Sequence, residues 1–365
     1  MNYTYLHYHV ALTMLRGIGP ISARKLIDTL GNPEQAFYLK ISEIQHLTGV
    51  SADVLKNSQR DQALIKADRI LDQHSNYNIN SVLLHDPDYP QRLFHCPDAP
   101  LVLYKIGVGD LNHSRSIAIV GTRNNTSYGE QVTRSIVEEL SPDIGQIVSG
   151  LAEGIDTIAH RESIKNRVNT IAVLGHGLDR IYPRSNQSLA NDIIENGGAL
   201  ISEFPMGVKP DRENFPKRNR IVAGMTSSTI VVESSIKGGS LITARLALEY
   251  NRDVYSVPGS VFNKTSSGCN ALINRQGALP YINSKLFLKE MGWETSISRT
   301  AQRSLPLELS SVQRSLYDYI RAKSPISIDD ISMDLQIPIS KLNVELLQLE
   351  LKGVINCLPG CNYTT

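Results

Sequence analysis

Three cations and an aromatic ring occur together in the segment Phe215-Pro-Lys-Arg-Asn-Arg220. A groove for single-stranded nucleic acid needs cations that contact phosphates and a ring on which a base stacks. The alternative is a solvated basic turn. However, the segment continues directly into apolar residues, which favours the start of a buried helix. We therefore take Phe215, Lys217, Arg218 and Arg220 as candidate binding residues.

Arg123 follows a predicted strand in the segment Gly121-Thr-Arg123. Its planar guanidinium can hold a phosphate through two parallel hydrogen bonds. The alternative is an ion pair with a surface carboxylate. A dinucleotide enzyme would carry Gly-x-Gly-x-x-Gly at this turn, and that pattern is absent from Gly-Thr-Arg-Asn-Asn-Thr.

Two glycine-rich turns add backbone N–H groups that can hold an anion. The first turn follows Ser149-Gly150 and ends at Gly154, where a helix is predicted to begin. The second contains Gly239 and Ser240, with Thr243 in the next helical turn. Because Gly-Lys-Ser/Thr at Walker spacing is missing, we expect no ATP hydrolysis.

Asp156 and His160 are four residues apart on a predicted helix, a spacing compatible with metal binding or acid–base chemistry. Two ligands do not complete a metal site, and such pairs commonly stabilise helices. Cys357 and Cys361 also lack a second pair nearby, so we expect a reduced hairpin there. The prediction is a protein that is not an enzyme, with no catalytic residue, no metal and no cofactor.

The charge balance excludes binding to a polyanion through bulk charge. The 365 residues include 37 Lys and Arg and 36 Asp and Glu, giving a net charge of +1, so any such contact needs a local cluster. The 41% hydrophobic residues are typical of a globular chain, and four cysteines suit a reducing cytoplasm. With no long apolar run and no signal peptide, we expect a cytoplasmic protein without membrane contact.

Short apolar runs alternate with helical patterns in the middle of the chain, which predicts a parallel sheet buried on both faces. The predicted strands are 117–120, 146–149, 170–174, 199–202, 229–233 and 254–257. Most of them end in glycine or a small polar residue. Because the carboxyl ends of parallel strands share one edge, these turns are expected to form one binding site.

The first segment, residues 1–78, is predicted to be helical, with Gly17-Ile-Gly-Pro20 between two amphipathic stretches. This turn resembles a helix-hairpin-helix, in which backbone amides hold a DNA phosphate. A plain helical packing unit is the alternative. Residues 79–293 form the predicted Rossmann-like domain, 294–305 a linker and 306–365 a winged-helix-like domain.

The last domain is predicted from three helices, 312–323, 328–335 and 341–352, and a terminal hairpin. Ser327 and Ser340 are the expected N-caps, and Gly353 is expected just after the third helix. That helix carries Glu345 and Glu350, which would repel a DNA backbone, and more leucines than one buried stripe needs. We expect a protein-contact surface or modest support of binding, with duplex reading as the alternative.

These segments in this order resemble the DprA/Smf family of DNA-processing proteins. The resemblance covers about residues 80 to 290. The matching motifs are Tyr89-Pro90, Asp98-Ala-Pro100, Gly121-Thr-Arg123, Ser149-Gly-Leu-Ala-Glu-Gly-Ile-Asp156, Gly177-Leu-Asp179, Tyr182-Pro183, Phe215-Pro-Lys-Arg-Asn-Arg220, Gly239-Ser-Leu-Ile-Thr-Ala244, Val257-Pro-Gly259 and Gly268-Cys-Asn-Ala-Leu-Ile273. One departure is His176, where family members often have cysteine.

The resemblance implies an α/β protein with a Rossmann-like central domain and parallel sheet, flanked by an N-terminal helical domain (helix-hairpin-helix or SAM-like) and a C-terminal winged helix. It also implies binding of single-stranded DNA, loading of the RecA recombinase during natural transformation, and a homodimer formed through the central domain. The alternatives are a nucleotide-hydrolysing enzyme of the lysine-decarboxylase-like Rossmann group and a binding module for a free nucleotide. The candidate DNA-binding residues are Thr122, Arg123, Ser149, Gly150, Phe215, Lys217, Arg218, Asn219, Arg220, Gly239, Ser240, Thr243 and Asn270.

Overall fold

The computed structural model describes residues 3–51, 55–294, 309–358 and 362–364. Its internal contacts divide the chain into two units, residues 1–294 and residues 295–365. Among the described residues, no helix is both long enough and apolar enough to span a membrane. The predicted linker lies almost entirely outside the described residues.

The described residues of the first unit begin with five helices. They are α1 (Tyr5–Met14), α2 (Pro20–Leu30), α3 (Gln35–Tyr38), α4 (Ile41–Thr48) and α5 (Asn57–Asn76). Pro20 occupies the first position of α2, where its missing N–H leaves no helical bond unmade, and Gly31 ends that helix in the left-handed conformation with φ +73°. Leu12 and Leu26 belong to the same hydrophobic core as one face of the sheet. A domain boundary at residue 78 therefore stays a prediction.

One mixed sheet follows. Its strands are β1 (Asn80–Leu83), β2 (Val102–Gly107), β3 (Ser116–Val120), β4 (Gln146–Ser149), β5 (Asn169–Leu174), β6 (Ala199–Ser202), β7 (Ser228–Val231), β8 (Asp253–Ser256) and β9 (Leu279–Pro280). Their spatial order is β1-β2-β6-β5-β4-β3-β7-β8-β9. The strands from β6 to β9 in this order are parallel to one another, and β2 pairs with β6 antiparallel. The expected α/β fold with a parallel sheet is confirmed, and each predicted strand lies within two residues of an observed one.

Helices cover both faces of this sheet. They are α6 (Gln91–Phe94), α7 (Ser127–Leu140), α8 (Ile155–Lys165), α9 (Gln187–Glu195), α10 (Asn214–Met225), α11 (Ser240–Glu249), α12 (Ser267–Asn274) and α13 (Ser284–Glu290). Alternate residues of β3 point to opposite faces, as strand geometry requires. Ala118 therefore joins the core under α10 and α11, and Ile119 joins the core under α7, α8 and α13. The chain progresses from β3 in one direction to β6 and then returns to β7, so the strand order reverses between β3 and β7.

In the described part of the second unit there are three helices and a small sheet. The elements are α14 (Ser311–Lys323), β10 (Ile326–Ser327), α15 (Ile328–Leu335), α16 (Ile339–Leu351), β11 (Asn356–Leu358) and β12 (Asn362–Thr364). Ser327 caps α15 as predicted, by accepting a hydrogen bond from the Asp330 amide. Ser340 as an N-cap is wrong, because α16 begins at Ile339, two residues earlier than predicted, and Pro338 is the N-cap residue. Cys361 lies outside the described residues.

Candidate nucleic-acid interface

A cleft of about 350 Å³ opens where the strand order reverses, at the carboxyl ends of β3 and β7. In open α/β sheets this switch point is where ligands bind. Val120 and Gly121 line one side of the cleft, and Ser234 and Ser235 line the other. The glycine-rich turns anticipated from the sequence therefore do meet at one edge of the sheet.

The Arg123 guanidinium and the Phe215 ring lie together at the cleft. The Arg123 guanidinium carbon lies 5.1 Å from the centre of the Phe215 ring, a cation–π distance. Arg123 is exposed, and among the described residues it has no ion-pair partner. The surface-pair alternative for Arg123 is therefore not what the fold adopts, and its charge is available to a ligand.

Tyr182 extends this aromatic surface. Its ring centre lies 6.2 Å from that of Phe215, with an angle of 34° between the planes, and 45% of Tyr182 is exposed. A recess of about 70 Å³ beside the two rings is also lined by Glu153 and Gly150. The site thus offers a second ring that sequence reasoning did not assign to it.

Arg218 lies beneath the cleft and beneath this recess. It is only 5% exposed, and its Nη1 donates to the carbonyl oxygen of Val173 at 3.2 Å. Burial lowers the pKa of this guanidinium, the carboxylate of Asp156 opposes that effect, and Arg123 adds to it. A Cβ atom on Gly150 would lie 1.2 Å from Nη1, so the arginine keeps this position only because residue 150 is glycine.

Asp156 fixes the turn after β4. Its Oδ2 accepts from the amides of Gly150 at 3.2 Å and Ala152 at 3.3 Å. Burial raises the pKa of Asp156, whereas Arg218 and these two amides act in the opposite direction. The turn ends at Gly154, whose φ is +80° and whose Cβ would lie 2.3 Å from the carbonyl oxygen of Thr122. A carboxylate and a glycine thus hold the turns after β3 and β4 together.

The opposite wall is the start of α11. The Ser240 hydroxyl donates to the Ser234 hydroxyl oxygen at 2.8 Å. A Cβ on Gly238 would lie 2.1 Å from the same oxygen, so this turn packs tightly against the end of β7. No side chain caps α11. The Leu241 and Ile242 amides donate to the carbonyl oxygens of Gly238 and Gly239, which leaves the amides of Gly239 and Ser240 for an anion in the cleft.

Most of the candidate residues line this cleft. They are Thr122, Arg123, Phe215, Arg218, Asn219, Gly239, Ser240 and Thr243. Gly150 lines the adjoining recess. Convergence of these sequence-distant residues on one edge is what the strand-end argument predicted.

The remaining candidates lie elsewhere, and the polar groups of three of them, Ser149, Asn270 and Arg220, are engaged by the fold. The Ser149 hydroxyl is buried and donates to the Ile119 carbonyl oxygen at 2.7 Å. Asn270 exchanges two hydrogen bonds with the backbone of Gly259, at 2.9 and 3.2 Å. Lys217 and Arg220 line a second, separate cavity. The expectation that all the cations converge on one groove is therefore not met by the geometry.

Arg220 is neutralised within the protein. It is buried, and its guanidinium contacts the carboxylate of Glu203 and donates to the backbone carbonyl of Asp98. Burial raises the pKa of Glu203, whereas Arg220 and Lys217 oppose that rise. A guanidinium held in this way is a structural element of the fold.

His160 is a buried residue whose side chain makes a hydrogen bond within the core. Its Nδ1 lies 2.7 Å from Thr170 Oγ1, and the Thr170 hydroxyl itself donates to the Ile147 carbonyl oxygen at 3.0 Å. The histidine is fully buried, and burial lowers its pKa to about 3, so the ring is neutral. Among the described residues, no group of three or more His, Cys, Asp or Glu side chains could hold a metal ion.

Two family models match the chain. One, described as DNA recombination-mediator protein A, covers residues 80–292, and the other, described as a DprA winged helix domain, covers residues 300–361. The first alone spans more than half of the chain. The chain belongs to the DprA family. This confirms the resemblance carried by the strand-end motifs, and it confirms the winged-helix assignment of the second unit.

Individual related proteins also support assignment to the DprA family. Protein Smf of Synechocystis sp. is 31% identical over 390 residues, covering 98% of each chain. The X-ray structure of DprA from Streptococcus pneumoniae is 32% identical with a TM-score of 0.68, covering 81% of this chain and 100% of that one. A structure of DprA from Helicobacter pylori, described for its single-stranded DNA binding mode, is 29% identical with a TM-score of 0.53 and covers 58% of this chain and 95% of that one.

Proposed function

We propose that this protein binds single-stranded DNA in the cleft at the carboxyl ends of β3 and β7. The observation that carries the proposal is the exposed Arg123 guanidinium stacked on Phe215 beside the uncapped start of α11. The guanidinium and the helix amides are donors for phosphates, and the ring is a platform for a base. None of these contacts distinguishes one base from another, so binding is expected to tolerate any base sequence.

The cleft favours a single strand over a duplex. Phe215 and Tyr182 can stack only on a base whose face is free, and paired bases in a duplex do not offer it. Stacking contributes about 1–3 kcal/mol per base, which is about 5- to 150-fold in affinity. A polymer should also outcompete a mononucleotide, since it occupies the phosphate donors and both rings together.

The test is a titration of fluorescent single- and double-stranded oligonucleotides, read by anisotropy at several salt concentrations. Arg123→Ala should weaken single-strand binding and reduce the salt slope by about 0.7, the value for one lost phosphate contact. Arg69→Ala is the matched control, because Arg69 is an exposed arginine on α5, remote in sequence from the cleft. Equal slopes for both variants, or equal affinity of the wild type for duplex and single strand, would contradict the proposal.

The proposal also includes a protein partner, the RecA recombinase, and the association of two copies of this chain. We infer that the bound strand is passed to the RecA recombinase during DNA uptake, and that two copies associate through the first unit. Family membership supports the recombinase step. Exposed apolar residues near the sheet edge at β9, Leu279 and Ile282, support self-association, since such an edge is normally covered. The onset of RecA ATP hydrolysis on single strands and the sedimentation of the free protein test the two parts separately.

A further inference from the structure

The loop between β8 and α12, residues 257–266, exposes a large aromatic side chain. Phe262 is 94% exposed, and its neighbour Val261 is also exposed. Neither side chain contributes to the core, and apolar residues exposed side by side can mark a contact surface. Two of the motifs found in the sequence, Val257-Pro-Gly259 and Gly268-Cys-Asn-Ala-Leu-Ile273, flank this loop, and the proposed function above uses neither of them.

Hydrogen bonds hold the β8–α12 loop in one shape. The Asn270 side chain exchanges two hydrogen bonds with the backbone of Gly259, at 2.9 and 3.2 Å. Within the loop, the Asn263 amide donates to the Ser260 carbonyl oxygen at 3.0 Å, and the Phe262 amide donates to Ser260 Oγ at 3.3 Å. Because the backbone is already ordered, a ligand that contacts the ring has little ordering entropy to overcome.

The loop shares a buried carboxylate with the turn that carries Arg123. Glu233 is buried, and its Oε1 accepts from the Thr126 hydroxyl at 2.7 Å and from the Thr265 hydroxyl at 3.1 Å. Thr126 follows Arg123 by three residues, and three residues of chain span at most about 11 Å. Thr265 likewise follows Phe262 by three residues. The exposed guanidinium and the exposed ring are therefore both tethered closely to one oxygen atom at this edge of the sheet.

The loop also adjoins the wall of the cleft directly. Ser234, which lines the cleft, donates its amide to the Thr265 carbonyl oxygen at 2.7 Å. Its own carbonyl oxygen accepts from the Gly268 amide at 2.8 Å. These bonds place the loop beside the turn after β7, just as β8 lies beside β7 in the sheet. A strand that leaves the cleft over this wall meets the β8–α12 loop next.

The charge along this path is positive. Residues 234–240 and 257–270 include Lys237 and Lys264 and contain no Asp or Glu. Both lysines are exposed, so their charges attract a polyanion to this side of the cleft. An exposed ring among cations is the combination with which proteins bind single-stranded nucleic acid, because every base has a face that can stack.

We propose that the strand bound in the cleft continues across the turn after β7 and stacks a base on Phe262. This inference rests on the proposed single-strand binding in the cleft. It gives the strand a path from Phe215 toward β8, and it makes Asn270 a positioning residue that holds the loop. It also predicts that Phe262 contributes only to the binding of strands long enough to extend beyond the cleft.

Replacing the ring tests the stacking contact without disturbing the core. Phe262→Leu removes the ring and keeps an apolar side chain, whereas Phe262→Tyr keeps a ring on which a base can stack. Tyr77→Leu is the matched control, because Tyr77 is 58% exposed and precedes β1, at the opposite end of the strand order from β8.

The first readout is the affinity for oligothymidylates of increasing length, measured by anisotropy. Phe262→Leu should bind the shortest strands like the wild type and lose about tenfold on long strands, which is within the range for one stacked base. Phe262→Tyr should retain the affinity for long strands. Tyr77→Leu should follow the wild type at every length.

The second readout detects the contact itself. A base stacked on an indole quenches its fluorescence, so the Phe262→Trp variant reports directly on the loop. The wild type supplies the reference signal, because its single tryptophan, Trp293, packs against Phe287. Long strands should quench the added signal and the shortest strands should not. Combining this variant with Arg123→Ala should move the quenching to higher DNA concentrations, because the cleft holds the same strand.

The outcomes separate this inference from the proposed function. If the wild type binds and Arg123→Ala weakens it, but Phe262→Leu matches the wild type at every length, the path to Phe262 is wrong while the cleft stands. Failure of the wild type to bind any strand would refute the cleft instead. Quenching that does not depend on Arg123 would mean a separate site and would overturn the continuous path. Unchanged DNA binding by Phe262→Leu, with loss of self-association in sedimentation, would identify the loop as a protein contact and overturn the inference.

Discussion

Gly150→Ala tests how closely Arg218, the arginine beneath the cleft, packs against the turn after β4. The glycine has no positive φ, so alanine is compatible with its backbone. The added Cβ would lie 1.2 Å from Arg218 Nη1 and 2.2 Å from Cζ, both far inside van der Waals contact. Arg218 is 5% exposed, so the guanidinium could move aside only toward the cleft and recess that it lines, away from the Val173 carbonyl oxygen.

The cost follows from what the guanidinium leaves behind. It would lose its hydrogen bond to the Val173 carbonyl oxygen, and such bonds to charged groups contribute about 1.5–3 kcal/mol. It would also move away from the buried carboxylate of Asp156. Overpacking a core typically costs about 1–3 kcal/mol, and the two effects overlap, so we expect a loss of about 3 kcal/mol.

A double-mutant cycle isolates this contact. Trp293 is the only tryptophan, and it packs against Phe287 in the first unit, so its fluorescence during urea unfolding follows the unit that contains Gly150. In an Arg218→Ala background, the methyl group of Gly150→Ala enters vacated space, and its cost should fall below about 1 kcal/mol. The same cost in both backgrounds would refute the steric reasoning.

Gly277→Ala is the matched control for this cycle. A Cβ at Gly277 would meet its nearest neighbour, Leu248, at an ordinary 3.6 Å, and φ is again not positive. Its effect on the free energy of unfolding should stay within about 0.5 kcal/mol in either background. A large loss for Gly277→Ala would mean that glycine-to-alanine changes destabilise this unit for reasons unrelated to Arg218.

Two further predictions concern pH and the second unit. Since burial lowers the pKa of His160 to about 3, the unfolded chain binds its proton below about pH 6.5 while the folded chain does not, so stability should fall toward acid by up to about 1.4 kcal/mol per pH unit. His160→Gln should make this slope shallower in urea titrations between these pH values, and an unchanged slope would contradict the prediction. Ending the chain near Leu305 should leave single-strand affinity within about tenfold by anisotropy, because Glu345 and Glu350 make α16 a poor DNA surface. A loss of several hundredfold would show that the second unit carries the binding.

The sheet could be predicted because its central strands are buried on both faces and are therefore mostly apolar. Runs such as 146–149 and 199–202 match β4 and β6 residue for residue. The edge on which the site lies followed from the same pattern, since parallel strands end at one side. What the sequence could not supply was the order of the strands, and hence that the cleft lies where β3 neighbours β7.

The division of the basic segment between two cavities follows from helical geometry. At about 100° per residue, positions 215, 218 and 222 share one face of α10, and they line the cleft. Positions 216, 217 and 220 share another face, and they line the second cavity. The expectation of one groove took all the cations of the segment together, although the segment was expected to begin a helix. Applying the helical period to it would have separated the two sets.

The partners of the buried cations could not be predicted, because they are remote in sequence. Arg220 contacts residue 98, which is 122 positions away, and Glu203, which is 17 positions away. A count of cations in a motif therefore overestimates the number of phosphates bound. Four phosphate contacts, made by Arg123, Lys217, Arg218 and Arg220, would give a salt slope of about −2.8. Arg123 and Lys217, the two that are exposed, would give about −1.4. The slope of the wild type thus distinguishes contacts by all four of these cations from contacts by the two that the fold leaves exposed.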